Sequence, residues 1–349
     1  MKFAAGLSCL ATLASALVVD LDKRESPLDV KLEMIGNTEV KASITNTGSA
    51  PVKVFKTGSI LDSRPVEKVK VFQGSKELDF NGMRLYVDMA ATDDDSFQTI
   101  AAGQTINVQW DVAEGHDLSN GGAVDIKAAG ALKYAEANGK KIVGAAQYSS
   151  NVVKTNVDGA TAANARRTLN DNFKRSAVSG DCNSGQQGAI QEAFGFCKNL
   201  ADQAASAASG GDAGRLNEYF KDSSQSTRNT VTGVYQRVSS ECQNGGGVSA
   251  THCADLSNAC QGGVVAYTQP DQSYIVYCSS WFNYPASSSS CHNADRGWIM
   301  LHETTHLSQI KGTSDYNCYG YDCSQGLSGD QNRNHADSYA LFANAVQFC

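Results

Sequence analysis

The clearest chemical pattern in the sequence is the segment His302–His306, which reads H-E-T-T-H. On a helix, positions i and i+4 lie on one face a turn apart, so both imidazoles can reach one metal ion. Glu303, directly after the first histidine, is then placed to take a proton from a zinc-bound water. The apolar run Trp298–Leu301 would bury the helix. The pattern predicts a catalytic zinc site; the alternative is two surface histidines on a solvated helix.

A catalytic zinc needs a third protein ligand and an open fourth position. The metzincin pattern requires glycine and histidine where this chain has Gln309 and Gly312, so it is excluded. No glutamate follows Glu303, which excludes a thermolysin-like ligand. Asp315 is favoured because a helix end at Lys311-Gly312 would return the chain to the face it has left. The other downstream candidates are Asp322, Asp330, His335 and Asp337. Asp322 could instead be a turn residue. For Asp337, the alternative role is to cap a helix or to support a ligand.

Charge and cysteine divide the chain in two. The net charge of −7 falls entirely after residue 175, where 8 basic residues stand against 15 acidic ones. Of 11 cysteines, ten lie from Cys182 onward, an even number that suits up to five disulfides. The acidic balance argues against a nucleic-acid partner, which would need a basic face.

The N-terminus predicts secretion. Met1-Lys2 precedes an apolar run to Leu17, and Ala14-Ser15-Ala16 has the small residues that signal peptidase prefers. We therefore expect a signal peptide over residues 1–17, no membrane partner and an extracellular product.

Hydrophobic periodicity predicts two kinds of structure. Alternation with period two, as at Val40, Ala42 and Ile44, favours an antiparallel, sandwich-like, all-β part over residues 18–175. Beyond it, apolar spacing typical of helices predicts a mainly helical α+β part over residues 176–349, with a small hairpin at Val264–Thr268 and Tyr274–Tyr277.

The seam between these parts carries a processing signal. Lys174-Arg175 is a dibasic pair seven residues before Cys182, in what reads as an exposed linker. The sequence predicts cleavage there, with Ser176 as the mature N-terminus; an ordinary solvated charge pair is the alternative. The first part would then be a propeptide that inhibits the second.

The segment Gly312–Gly320 after the two histidines closely resembles the aspzincins, specifically the fungal deuterolysins, whose signature is H-E-x-x-H followed by G-T-x-D-x-x-Y-G. The likeness continues through Asn334–Ala345. This chain departs at one position, where Cys318 stands in place of the signature tyrosine and Tyr319 follows it.

The resemblance implies a zincin-like endopeptidase in which His302, His306 and Asp315 bind one Zn²⁺ and Glu303 is the general base. It suggests oxyanion stabilisation by Tyr319, for which a packed aromatic is the alternative role, and a preference for basic proteins. Its layout implies the disulfides Cys182–Cys253, Cys260–Cys278 and Cys291–Cys349. For the remaining cysteines we expect Cys197–Cys242 and Cys318–Cys323.

The leading hypothesis is a secreted zinc metalloendopeptidase made as a zymogen, acting on proteins and peptides as a monomer. One alternative is a secreted binding module with a structural metal site; another is a zinc hydrolase of non-peptide amides. How the propeptide inhibits is open: no cysteine follows Cys9 in it, which excludes a cysteine switch, and His116 or a carboxylate could block the zinc.

Overall fold

A computed structural model of the chain describes residues 26–176, 180–243, 245 and 247–349. The expected signal peptide lies outside the described residues. Among the helices in these ranges, none combines the length and hydrophobicity required to cross a bilayer.

Residues 28–157, here called the β-rich segment, contain strands and three short 3-10 turns. Its strands are β1 (Leu28–Met34), β2 (Glu39–Asn46), β3 (Val52–Phe55), β4 (Lys70–Gln73), β5 (Lys76–Glu77), β6 (Arg84–Val87), β7 (Phe97–Ile100), β8 (Thr105–Asp111), β9 (Gly122–Lys127), β10 (Ala129–Ala135), β11 (Ile142–Ser149) and β12 (Val153–Val157). Alternation of buried and solvent-facing residues along β2, with Val40, Ala42 and Ile44 inward, explains why it forms a strand with one packed face.

Eleven of these strands form three antiparallel sheets, in the orders β1-β2-β8, β11-β10-β3-β7 and β12-β9-β4-β5. They share a core of aliphatic side chains, among them Val30, Ile44, Val71 and Ile126. The predicted antiparallel structure is therefore present, distributed over three small sheets.

Helix α1 (Gly159–Ser176) connects the β-rich segment to residues 180–349, here called the helical segment. The helical segment contains α2 (Ser184–Gly210), α3 (Ala213–Phe220), α4 (Gln225–Gln243), β13 (Ala250–His252), β14 (Val264–Gln269), β15 (Tyr274–Tyr277), α5 (Arg296–His306), α6 (Tyr321–Gln325), α7 (Gly329–Asn332) and α8 (Ala336–Phe348). The α+β character and the β14–β15 hairpin predicted from the sequence are confirmed.

The exposed linker expected at the seam is a helix. Strand β12 ends at Val157, α1 begins at Gly159, and Lys174-Arg175 lie in the last turn of α1. The Ala-rich composition after Gly159 favours this helix. Arg166 on α1 forms an ion pair with Asp271 of the helical segment.

Strand β6 leaves the sheets of the β-rich segment and pairs antiparallel with β14, giving a fourth sheet in the order β13-β15-β14-β6. The sequence pattern did not predict this pairing. A hydrophobic core accompanies it, in which Met83, Leu85 and Val87 pack with Val264 and Tyr267. The two segments are thus joined by a shared sheet.

Five disulfides secure the helical segment, and they are the pairs expected above: Cys182–Cys253, Cys197–Cys242, Cys260–Cys278, Cys291–Cys349 and Cys318–Cys323. The helices α2, α4, α5 and α8 pack on one another around a core that includes Tyr235, Tyr339 and Phe342. This packing fixes α5, which carries the histidine pair.

Candidate metal centre

Helix α5 places His302 and His306 on one buried face. Its first turn is capped by Asp295, whose carboxylate accepts a 2.7 Å hydrogen bond from the amide of Trp298. Every residue from Gly297 to His306 is buried. Such complete burial fits a helix in the centre of a domain, and it excludes the alternative of two solvated surface histidines.

The helix ends at His306, earlier than the sequence predicted, because Leu307 has a non-helical ψ of 132°. A reversal follows in which Gly312 has a φ of +66°, a conformation that glycine adopts without strain. The amide of Thr313 then donates to the carbonyl of Thr305 at 3.2 Å. This contact brings the chain back alongside α5 and delivers Asp315 to the histidine face.

Three side chains converge at this point. Asp315 Oδ1 lies 3.2 Å from His302 Nε2 and 3.1 Å from His306 Nε2, and the two Nε2 atoms are 3.2 Å apart. A tetrahedral zinc with bonds of about 2.0–2.1 Å holds its ligand atoms about 3.3 Å apart. The three atoms therefore have the spacing of one face of a zinc tetrahedron.

Each imidazole is held in orientation by a hydrogen-bond acceptor at its Nδ1, the nitrogen that does not face the cluster. Asp337 Oδ1 lies 2.7 Å from Nδ1 of His302, and the carbonyl of Thr313 lies 3.0 Å from Nδ1 of His306. Each acceptor favours a proton on Nδ1, which leaves the Nε2 lone pair free for a metal. Asp337 also accepts a 2.6 Å hydrogen bond from the amide of Gly320. Its contacts are those of a supporting group.

The remaining sequence candidates lie outside this cluster. Asp322 and Asp330 are exposed, and Asp330 pairs with Arg333. His335 is buried, with its ring nitrogens in hydrogen-bond contact with the Cys318 carbonyl and the Ser338 hydroxyl. Among the described residues, only Asp315 completes a three-residue group with the two histidines.

The buried carboxylates of Asp315 and Asp337 favour a positive charge within the cluster. Burial alone would lower the pKa of His302, but the hydrogen bonds and charges of Asp315 and Asp337 outweigh it and raise that pKa to about 10. Burial would raise the pKa of Asp315, yet the two imidazoles hold it far below its usual range. A buried carboxylate pair of this kind needs a cation, either a proton or a metal ion.

Glu303 is fully buried beside the histidines. Its Oε2 accepts a 2.5 Å hydrogen bond from the hydroxyl of Thr268 on β14. Its Oε1 is buried without a hydrogen-bond partner among the described protein atoms. Burial raises the pKa of Glu303 to about 8, and the charge of His302 and the Thr268 bond offset only part of that rise. One oxygen is thus fixed and the other is free to bind a proton.

Tyr319 and β6 also lie against the cluster. The Tyr319 hydroxyl donates a 2.7 Å hydrogen bond to the Leu85 carbonyl, and the Leu85 amide donates to Asp315 Oδ2 at 3.3 Å. The ring of Tyr86 meets the His302 imidazole edge-on, with centroids 5.0 Å apart. Burial keeps the pKa of Tyr319 well above its usual value, so its hydroxyl remains a donor.

Sequence reasoning therefore named the cluster residues but missed Thr268, Leu85 and Tyr86. The only local signal for β6 is a short run of β-prone residues, Leu85-Tyr86-Val87. A cavity of about 350 Å³ adjoins the cluster on the His306 side, and its lining includes Arg84 and Lys311.

Comparison with known proteins finds a family model and relatives that match nearly the whole chain. The model for the Deuterolysin metalloprotease (M35) family matches residues 1–349. A "Neutral protease 2 homolog" of Colletotrichum graminicola is 48% identical over 349 residues, covering 99% of each chain. Another of Pyricularia oryzae is 45% identical over 348 residues, again with 99% coverage of each. A solved zinc peptidase from Grifola frondosa matches at a TM-score of 0.40 and 20% identity, covering 47% of this chain and 96% of that one, a likeness too weak to carry a conclusion.

Proposed function

The chain belongs to the deuterolysin metalloprotease (M35) family and is a zinc metalloendopeptidase, and we propose that it is made as a secreted zymogen whose helical segment carries the active site. The observation that supports this assignment is the cluster of His302, His306 and Asp315 at zinc-like spacing, with Glu303 beside it. These three residues would hold one Zn²⁺ and leave a fourth position open for chemistry.

When bound, zinc supplies Lewis acidity that polarises the scissile carbonyl and lowers the pKa of water. Glu303 accepts the proton of the attacking water on Oε1, while Thr268 holds Oε2 in place. The same carboxyl then gives that proton to the leaving amine. The Tyr319 hydroxyl donates to the oxygen on which negative charge develops, as it now donates to the carbonyl of Leu85.

A structural metal site is the rival function, and the coordination argues against it. Structural zinc has four protein ligands, whereas the described residues offer three at this point. Asp337, the nearest further carboxylate, is engaged by His302 Nδ1 and the Gly320 amide.

Zinc stoichiometry measured together with casein hydrolysis tests the function. We expect one zinc per chain, hydrolysis that stops when a chelator removes the metal, and recovery when zinc returns. A zinc-loaded, processed chain that leaves casein intact but cleaves small non-peptide amides would instead make it an amide hydrolase. Loaded chain that cleaves neither would favour the binding module.

The substrate class follows from charge. The net charge of −7 lies on residues 176–349, the proposed mature enzyme. An acidic surface attracts basic substrates at low ionic strength. We therefore propose basic proteins as preferred substrates, with higher kcat/KM than for acidic proteins of the same length.

Maturation is proposed to occur after Lys174-Arg175, with residues 1–17 removed as a signal peptide and residues 18–175 as propeptide. Arg166, within the neighbouring dibasic pair Arg166-Arg167, forms an ion pair with Asp271, which favours the later cut. N-terminal sequencing of the active secreted species tests this. Ser176 is the expected first residue; a start near Leu17 or Asp20 in fully active enzyme would refute the zymogen, and a start at Thr168 would move the cut to Arg166-Arg167.

A further inference from the structure

Strand β6 is the part of the β-rich segment that reaches the metal centre. Among the described strands it is the only one before residue 158 that pairs with a strand of the helical segment. Its residues are matched Arg84 to Thr268, Leu85 to Tyr267, Tyr86 to Ala266 and Val87 to Val264. An extended peptide that adds to a sheet edge in this way uses main-chain hydrogen bonds and requires no particular sequence.

Leu85 faces the metal centre with its backbone. Its amide donates to Asp315 and its carbonyl accepts from Tyr319, so both main-chain groups of one residue are bound by side chains assigned above to the active site. Ordinary packing of a strand against a domain would not need contacts of this kind. The Leu85 carbonyl holds the position proposed for a substrate carbonyl.

Tyr86 fills the space beside the ligands. It is the only described residue of the β-rich segment in the buried core of the helical segment. Its ring lies 5.4 Å from Trp298 and 5.0 Å from His302, centroid to centroid, both in edge-on geometry. A side chain in this place excludes other groups from that side of the His302 imidazole.

Contacts at both ends of β6 attach the strand to the helical segment. Arg84 forms a buried ion pair with Glu67 at 2.5 Å and donates to the Ser314 hydroxyl at 3.0 Å. Beyond the other end, the Asp88 carboxylate accepts a 2.6 Å hydrogen bond from Tyr284. The strand is thus fixed at each end to the helical segment.

From these contacts we propose that Arg84–Val87 is the inhibitory element of the zymogen: it occupies the β14 edge in place of an extended peptide substrate and covers the metal centre with the Leu85 backbone and the Tyr86 ring. This inference rests on the proposed function. It also removes His116 as the blocking group, because that imidazole packs against Phe80, with ring centroids 5.5 Å apart, and is absent from the metal cluster.

The test measures peptidase activity of the zinc-loaded, uncleaved full chain, with intact mass confirming that it is uncleaved. Tyr86→Ala removes the covering ring. Leu85→Pro removes the amide that Asp315 binds, at an edge-strand position where proline is tolerated. Tyr148→Ala is the control, because it deletes a half-buried aromatic of the β-rich segment that packs against a separate core.

Loss of a buried aromatic commonly raises the open population by orders of magnitude. We expect the uncleaved Tyr86→Ala and Leu85→Pro chains to be roughly tenfold to a hundredfold more active than uncleaved wild type, at equal zinc content. The peptidase activity of the uncleaved Tyr148→Ala chain should be no higher than that of uncleaved wild type. If the uncleaved Tyr86→Ala and Leu85→Pro chains are both inactive while processed wild type is active, the inference is overturned but the proposed function is not. Mass spectrometry showing that wild type first cleaves itself between residues 84 and 87 would also overturn the inference. An inactive processed wild type would overturn the proposed function itself.

Discussion

The hydroxyl of Tyr319 and the carbonyl oxygen of Leu85 are joined by a 2.7 Å hydrogen bond, although the residues are 234 positions apart. The contact shows where this tyrosine can hold a carbonyl. For the processed enzyme we predict that Tyr319→Phe lowers kcat by about a hundredfold and leaves KM nearly unchanged, since an oxyanion donor acts mainly in the transition state.

Tyr316→Phe is the control for that measurement. Tyr316 lies in the same loop, but its hydroxyl accepts a hydrogen bond from Asn334 of the helical segment. Its kcat should stay within about twofold of wild type. Equal losses in the two variants would mean that Tyr319 is only a packed aromatic.

The two aspartates of the site should differ in their effect on metal. Asp315→Ala removes a ligand atom, and we expect the chain to lose most of its zinc. Asp337→Ala removes the carboxylate that contacts Nδ1 of His302. Loss of a supporting partner of this kind lowers metal affinity by about 10–100-fold. Zinc titration against a competing chelator would measure both variants. Weaker binding in Asp337→Ala than in Asp315→Ala would assign the third ligand to Asp337.

Two disulfides should separate stability from activity. The Cys182–Cys253 bridge has a sequence separation of 71 and Cys318–Cys323 one of 5. Loop-closure entropy makes the first worth about 4 kcal/mol and the second about 2 kcal/mol. Tyr319 lies inside the smaller loop, so the Cys318→Ser, Cys323→Ser double variant should lose more activity and less stability than its Cys182→Ser, Cys253→Ser counterpart. Denaturant unfolding and turnover of both variants measure this, and the reverse order would contradict it.

Acid should destabilise the β-rich segment through His116. Burial is the main cause that lowers the pKa of this imidazole from 6.5 to about 4; the charge of Glu67 acts to raise the pKa and that of Lys70 to lower it. Because the unfolded chain binds a proton near pH 6.5 that the folded chain binds only near pH 4, stability present above pH 6.5 is lost as the pH falls between these values. The full difference is about 3 kcal/mol. His116→Gln should flatten the loss of unfolding free energy between pH 7 and 4; an unchanged slope would exclude His116 as its source.

The sequence was most informative where chemistry is local. A histidine pair at i and i+4 defines the zinc face of α5 before any fold is known, and the Gly312 reversal that delivers Asp315 depends on residues close in the chain. Helix α5 ended early because the turn after His306 is fixed by hydrogen bonds to Leu307, which residue propensities do not encode.

Long-range pairing could not be predicted in the same way. Strand β6 has four residues, all buried, and nothing in Arg84–Val87 states which sheet it joins. Its partner β14 is known only once both segments are folded together. The role of Thr268 could not be predicted for the same reason, since its bond to Glu303 arises from the packing of β14 on α5.

Glu303→Gln tests the central claim most directly. The amide is nearly isosteric, so the variant should fold and bind one zinc, but it cannot accept a proton from water or deliver one to the leaving amine. Casein hydrolysis by the processed, zinc-loaded variant should fall by at least about a thousandfold relative to wild type with the same zinc content. Turnover near the wild-type rate in that variant would contradict the assignment of Glu303 as the general base.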